Sequence, residues 1–335
     1  PGPVNWATSN QAPADGMVRL WTWLAYAHGC EMVSYFRWRQ APFAQEQFHS
    51  ALLHPDSTPD QAFHEIAQVV AEAAKLPPVG PRAKSRVAFV VDYPSRWATL
   101  TLPQGQTYRA AHIALDWYAA LRRQGVDVDI IGQHDDLSGY ALVVAPDLVI
   151  PNPAFIARLS ASAAKVLFGP RSGSKTPDMQ TPANLAPGLL ADLLDMKVTR
   201  VESLPDYHTE QFLVGNTNLT ATRWRETLIT SEEVLASFCG PYRDGAPALI
   251  GNHKARYLAA LPDRAALANV MADTLNWADV PCLPDLGDLR LTRRGGLTFA
   301  FNYGAAGAQA PAKDGAVFHL GGRLIAPAGV AAWTE

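Results

Sequence analysis

From Arg86 to Gly169 the chain follows one pattern that constrains its fold more than any other feature of the sequence. Apolar runs, "RVAFVVDY", "VDVDII", "ALVVAPDLVI" and "AKVLFG", are interleaved with helical stretches over 107–124 and 153–162. "RVAFVVDY" is apolar at consecutive positions, not at every second one, which is the mark of a strand covered on both faces. Such strands alternating with helices make a doubly wound, flavodoxin-like layer sandwich. "GNHKARYLAAL" adds a later strand, and 263–277 a closing helix.

The flanks differ in texture. "LPPVGPRAKS" is Pro- and Gly-rich without periodicity, a linker. Residues 1–76 therefore form one region, 77–85 a linker, 86–278 the flavodoxin-like domain and 279–335 a small all-β domain of short strands and Gly turns ("LRLTRRGGLTFAFNYG", "AVFHLGG", "RLIAPAGVAAWTE"). In the first region "DGMVRLWTWLAYAHG" has helical periodicity, with Met17, Leu20, Trp21, Leu24 and Ala25 on one face, Asp15 as N-cap and Gly29 as stop. "CEMVSYFRWR" reads as a strand, followed by a polar loop to about residue 59 and the amphipathic helix "DQAFHEIAQVVAEAAKLP". One strand makes no sheet, so its partners are expected upstream of Pro1. "PGPVNWATSNQAPADGM" has no initiator Met and no signal-peptide character, and residue 1 is read as a cut inside a larger protein.

Composition excludes several functions. At 335 residues the chain exceeds one typical core, and 48% hydrophobic with 18% charged residues fits a folded globular protein. A net charge of −3 without a basic run argues against nucleic acid and anionic membranes as partners. Cys30, Cys239 and Cys282 lie far apart without C-x-x-C spacing, which suits a reducing, cytoplasmic setting. The nine His are scattered with no H-E-x-x-H, so neither a metal nor a cofactor is expected.

Few motifs carry chemistry. "GPRSGS" (169–174) follows a strand but lacks G-x-G-x-x-G and the P-loop Lys, so a strand-to-loop exit is favoured over an anion loop. The same turn holds Arg171 and Ser172 where a glutamine-amidotransferase-like elbow needs Cys, and that domain is read as non-catalytic. Asp92, at a strand end, is a cap in preference to a ligand carboxylate. "YFRWRQAPFAQEQFH" (35–49) is richer: Trp38 and Arg39 fall at the end of the expected strand, with Phe43, Glu46, Phe48 and His49 in the loop beyond. Sugar sites use this mixture, since carboxylate and imidazole bind hydroxyl pairs and aromatic faces stack on C–H faces. Composition alone leaves an ordinary solvated turn as the alternative.

A resemblance bears on that choice. P-G-x-x-N-W (1–6), R-x-W-x-x-x-A-x-A-H-G (19–29), F-R-W-R-Q (36–40) and E-x-F-H (46–49) occur in this order and spacing in family 42 β-galactosidases. "RVAFVVDYPSRWA", "VDVDIIGQHDDLSGYALVVAPDLVI" and "FGPRSG" resemble that family's trimerisation domain, and the C-terminal segments resemble its small third domain more weakly. The resemblance implies an α/β multidomain chain: the terminal segment of a TIM (β/α)8 barrel, a flavodoxin-like (class I glutamine-amidotransferase-like) trimerisation domain and an all-β C-terminal domain. It implies a retaining β-galactosidase acting on terminal β-D-galactose and assembling as a homotrimer.

Carried over, the resemblance makes Trp6 an indole wall of the galactose subsite and Glu46 and His49 partners of galactose hydroxyls. Arg37 and Arg39 match the family segment without an assigned sugar contact. Cys30 and Glu31 replace the usual Ala and Asp, and Phe43-Ala44 replaces a Gly-containing loop. Retaining hydrolysis needs two carboxyl groups roughly 5 Å apart. The resemblance places both the nucleophile and the acid/base upstream of Pro1, so no catalytic residue is assigned within the chain, which alone is expected to be inactive. A non-catalytic assembly module and, less favoured, a glutamine-amidotransferase-like enzyme are the alternatives.

Overall fold

The computed structural model describes residues 8–215, 217–241 and 243–335, in two compact units. One runs from Lys84 to Asp285; the other joins the two ends of the chain, 1–83 and 286–335. Residues from both ends enter one apolar core.

Helix α1 spans Met17–Ala27 and α2 Gln61–Ala73. Asp15 does not cap α1. Gly16 occupies the N-cap at φ 90, and a carboxylate from α2 takes over the capping. Gly16 N donates to Glu65 Oε1 at 2.8 Å and Arg19 N to Glu65 Oε2 at 2.9 Å. A buried carboxylate there satisfies N–H groups that every helix leaves open, at the positive end of its dipole. Further along α2, Glu72 accepts from Arg19 Nε at 2.9 Å and Trp23 Nε1 at 2.8 Å.

The intervening segment, expected as a strand, is not one. Among the described residues 32–38 have no ladder partner, and only Arg39 forms an isolated bridge, to Leu53. Aromatic and β-branched side chains favour a pleated surface, but the strand exists only when a neighbour takes its N–H and C=O groups. The carbonyls of Arg37 and Trp38 accept instead from Leu52 N and Leu53 N, at 3.0 and 2.9 Å.

The unit 84–285 begins with β1 (Val87–Val90), α3 (Tyr93–Thr101), α4 (Ala110–Arg122), β2 (Val128–Ile131), β3 (Leu142–Ala145), α5 (Pro153–Ala161) and β4 (Lys165–Phe168). It continues through β5 (Met196–Ser203), β6 (Glu210–Val214), β7 (Thr217–Thr230), β8 (Glu233–Phe238), β9 (Pro247–Gly251), β10 (Ala255–Leu258), β11 (Ala260–Pro262) and α6 (Arg264–Trp277). Strands β2, β1, β3, β4 and β10 lie side by side in that order, all parallel. Ile113, Trp117 and Leu121 of α4 and Val270 of α6 pack on one face, and Phe155 and Leu159 of α5 on the other. Cover on both faces is what the unbroken apolar runs require.

At β10 the sheet changes character: β9 pairs with it antiparallel, and β8, β6, β7, β5 and β11 extend the sheet to eleven strands. This antiparallel extension was not anticipated. Strands such as β5 ("MKVTRVES") mix polar and apolar residues and show no apolar run, whereas β9 ("PALIG") is apolar but only five residues long. Helix α3 was also missed; Asp92 caps it, accepting from Ser95 N at 2.8 Å, so this carboxylate serves the fold.

The chain ends with β12 (Leu289–Arg294), β13 (Leu297–Asn302), β14 (Ala308–Gln309), β15 (Val317–Leu320), β16 (Leu324–Ile325) and β17 (Val330–Thr334). Four form an antiparallel sheet in the order β12-β13-β17-β15. The β12–β13 hairpin turns on Gly295 and Gly296, at φ 53 and 86, the positive pair that a two-residue hairpin needs. A Cβ on Gly295 would lie 2.3 Å from Gly80 N, so this position also requires glycine for close approach. Leu20, Trp23 and Ala27 of α1 pack with Leu297, Phe299 and Phe301 of β13.

Glu65→Ala should destabilise the unit that carries α1 by ~1–3 kcal/mol, because it strips a charged acceptor from buried N–H groups. Urea unfolding followed by tryptophan fluorescence measures this. A midpoint unchanged from the parent would remove the capping role.

Candidate functional site

The stretch 35–49 folds back so that its charged and aromatic groups converge. Arg37 Nη2 donates to Glu46 Oε2 at 2.6 Å, and His49 Nδ1 lies 3.9 Å from the same oxygen. The Arg37 guanidinium sits 4.8 Å above the Phe36 ring, and Phe36 meets the buried His49 ring edge-on at 6.0 Å and 87°. Gln47 Nε2 closes the loop onto Ala44 O at 2.7 Å, and Ala44 itself has φ 70. Trp38 packs edge-on against Phe63 of α2, while Arg39 turns away to Ser57 Oγ at 3.1 Å. Phe36, Trp38, Phe43 and Phe48 remain exposed around this group.

Glu46 and His49 are thus brought together, with Arg37 between the carboxylate and the aromatic ring. Trp6 lies outside the described residues. Arg37 is the participant that sequence reasoning left without a role; its nine-residue separation from Glu46 gives no helical or strand signal, and only loop closure makes them neighbours. A half-exposed carboxylate, an imidazole and exposed aromatic rings can bind a polyhydroxylated ring. Among the described residues no cluster of His, Cys, Asp and Glu is arranged to hold a metal, and no helix is long and apolar enough to cross a membrane.

The turn after β4 is chemically rich but committed internally. Arg171, at φ 65, donates its N–H to Glu226 Oε1 at 2.9 Å. Its guanidinium donates to Leu102 O at 2.9 Å and stacks over Tyr108 and Trp224 at 4.8 and 5.6 Å. Glu226, fully buried, also accepts from Trp224 Nε1 at 3.1 Å and Tyr257 OH at 2.7 Å, and burial pushes its carboxyl up. Ser172 Oγ accepts from Leu148 N at 3.1 Å. Sequence reasoning missed Glu226; its signal is the i, i+2 pair Trp224–Glu226, which puts both on one face of β7.

Three family models cover the chain: "Beta-galactosidase" over residues 1–76, "Beta-galactosidase trimerisation domain" over 85–281 and "Beta-galactosidase C-terminal domain" over 288–335. The chain belongs to glycoside hydrolase family 42. A β-galactosidase of Thermus thermophilus is 45% identical over 337 residues, covering 100% of this chain and 51% of the relative. The Bga enzyme of Halorubrum lacusprofundi is 33% identical, over 90% of this chain and 46% of the relative. Among solved structures, the β-galactosidase of the psychrophilic Marinomonas ef1 matches with a TM-score of 0.93 at 36% identity, covering 100% of this chain and 52% of that one. The chain spans about half the length of the family 42 relatives it matches.

In this family 42 chain Asp147 lies just beyond β3. Burial pushes it up to about 7, against the pull of Arg171 and Arg96 and with a further push from Asp92. The folded value lies above the unfolded one, near 3.8. The neutral carboxyl's contribution to stability is therefore complete below about pH 4 and is lost as pH rises toward 7, at no more than ~1.4 kcal/mol per pH unit. Asp147→Asn should raise Tm relative to the parent near pH 7.5 and much less near pH 4.5. A difference between variant and parent that stays constant across that window would overturn this reading.

Proposed function

We propose that the chain is the C-terminal part of a retaining β-galactosidase that releases terminal β-D-galactose, with its sugar contacts in the stretch 35–49. Glu46 and His49 accept and donate hydrogen bonds to galactose hydroxyls, and Trp6 forms an indole wall. The nucleophile and the acid/base carboxyl belong to the part of the relatives' length that this chain does not span. They flank the scissile bond roughly 5 Å apart, as retention demands. Residues 8–76 are read as the end of a TIM barrel and the core of 84–285 as flavodoxin-like, the latter supported by its parallel order β2-β1-β3-β4-β10.

The observation that carries this reading is Glu46. Its carboxylate is 38% exposed, gripped by Arg37 on one oxygen and set beside a buried His49. A charged hydrogen bond to a sugar hydroxyl contributes about 1.5–3 kcal/mol, more where it tightens in the transition state. In the full-length protein Glu46→Ala should therefore lower kcat/KM on a chromogenic β-galactoside ~10²-fold, and His49→Ala by less. Kinetics near the parent's for Glu46→Ala would return the stretch to an ordinary turn.

We also infer that the unit 84–285 assembles the protein as a homotrimer. The description of the matching family model supports this, as does an apolar face of α3 in which Tyr93, Trp97 and Leu100 are exposed at helical spacing. Light scattering should give three times the chain mass, and Trp97→Glu should shift the population toward monomer. A monomer at micromolar concentration before any substitution counts against the assembly.

A further inference from the structure

We propose that Arg37 is a positioning residue that holds Glu46 and, through Phe36, His49 in one arrangement for binding sugar hydroxyls; this rests on the reading of the site given above. Glu46 stands in a turn outside helix and strand; its carbonyl accepts from His49 N at 3.1 Å, which fixes the backbone and leaves the carboxylate to be oriented. Arg37 supplies the confinement. Its own carbonyl is fixed by Leu52 N at 3.0 Å, and its guanidinium lies 4.8 Å above the Phe36 ring. From there Nη2 reaches Glu46 Oε2 at 2.6 Å, and the other face of the assembly is the edge-on contact of Phe36 with His49 at 6.0 Å. Among the described residues Glu46 Oε1 takes no hydrogen bond, so the pairing orients the carboxylate while leaving an oxygen for a hydroxyl.

The chemistry favours arginine for this task. A planar guanidinium can lie flat on an aromatic ring and still donate in its own plane, whereas an ammonium supplies charge without that fixed geometry. The pair is not a device for stability. Arg37 and Glu46 side chains are 24% and 38% exposed, and ion pairs so accessible to water contribute little to folding. Its effect is therefore expected in ligand binding and turnover, where a misplaced contact is costly.

The experiment uses the full-length protein with Arg37→Met, Arg37→Lys, Glu46→Ala, Glu46→Gln and the double variant Arg37→Met/Glu46→Gln, measuring kcat, KM and Tm. Arg37→Met should lower kcat/KM ~10-fold or more with Tm near the parent's, and Arg37→Lys should recover part of the loss. The double variant should be no worse than Glu46→Gln alone, because Arg37 acts through that carboxylate. Losses that multiply in the double variant, or an Arg37→Met enzyme within about twofold of the parent while Glu46→Ala is crippled, would overturn the positioning role and leave the sugar site standing. A Glu46→Ala enzyme with parental kinetics would instead bring down the reading of the site, and this role with it.

Discussion

Trp23 ties together the unit that carries the candidate site. It is 2% exposed; its indole N–H goes to Glu72 of α2 at 2.8 Å, and its ring stacks on Phe299 of β13 at 6.4 Å. One side chain so joins both helices to the C-terminal sheet, combining a large apolar burial with a charge-assisted hydrogen bond. One residue before it, Thr22 Oγ1 meets Tyr35 OH at 2.7 Å at the start of the site stretch. One turn earlier still, Val18 packs with Leu52 and Ala62 just beyond its end. The loop bearing Glu46 and His49 is therefore strung between two points fixed by α1, the placement that the proposed binding role requires.

The same dependence explains what was legible in the sequence. Elements whose signal is local came through: α1 and α2 as helices, the parallel strands by runs such as "RVAFVV", and the final helix, capped by Asp263. The face expected for α1 did not, since Trp21 is exposed while Val18, Trp23 and Ala27 are buried beside Leu20. What depends on a partner did not. Residues 32–38 have the side chains of a strand and no ladder. The cap of α1 comes from Glu65, far along the chain, and no local rule connects it to Gly16. Strand β5 mixes polar and apolar residues, and Glu226 of β7 sits among arginines and threonines like a solvated residue until the fold closes over it. In the site, Glu46 and His49 were named through motif spacing, whereas the link to Arg37 exists only once residues 40–45 have turned back.

The two units make opposite use of polar side chains. In doubly wound sheets ligands usually bind beyond the carboxyl ends of the strands. Here that position holds Asp92, which caps α3, Ser172, which receives Leu148 N, and the Arg171–Glu226 pair, roofed by Tyr108 and Trp224. Each of these groups makes at least one hydrogen bond within the protein, although Arg171 Nε is buried without a partner among the described residues.

Carboxylates make the contrast quantitative. Glu65 accepts hydrogen bonds from Gly16 N, Arg19 N and Gln61 Nε2, and Glu226 from Arg171 N, Trp224 Nε1 and Tyr257 OH. Both use both oxygens and fill three of about four acceptor positions. Among the described residues the Glu46 carboxylate accepts from Arg37 alone and on one oxygen. A half-exposed carboxylate in that condition is satisfied by water until something replaces the water. A hydroxyl can do so at little cost, because it returns the hydrogen bond it displaces. A ring lacking that hydroxyl would strip the oxygen of its solvent and give nothing back, a penalty of about 1–3 kcal/mol. In the proposed sugar site the discrimination therefore arises from the oxygen that Glu46 keeps free of the described residues, and Arg37, by taking one oxygen only, preserves it.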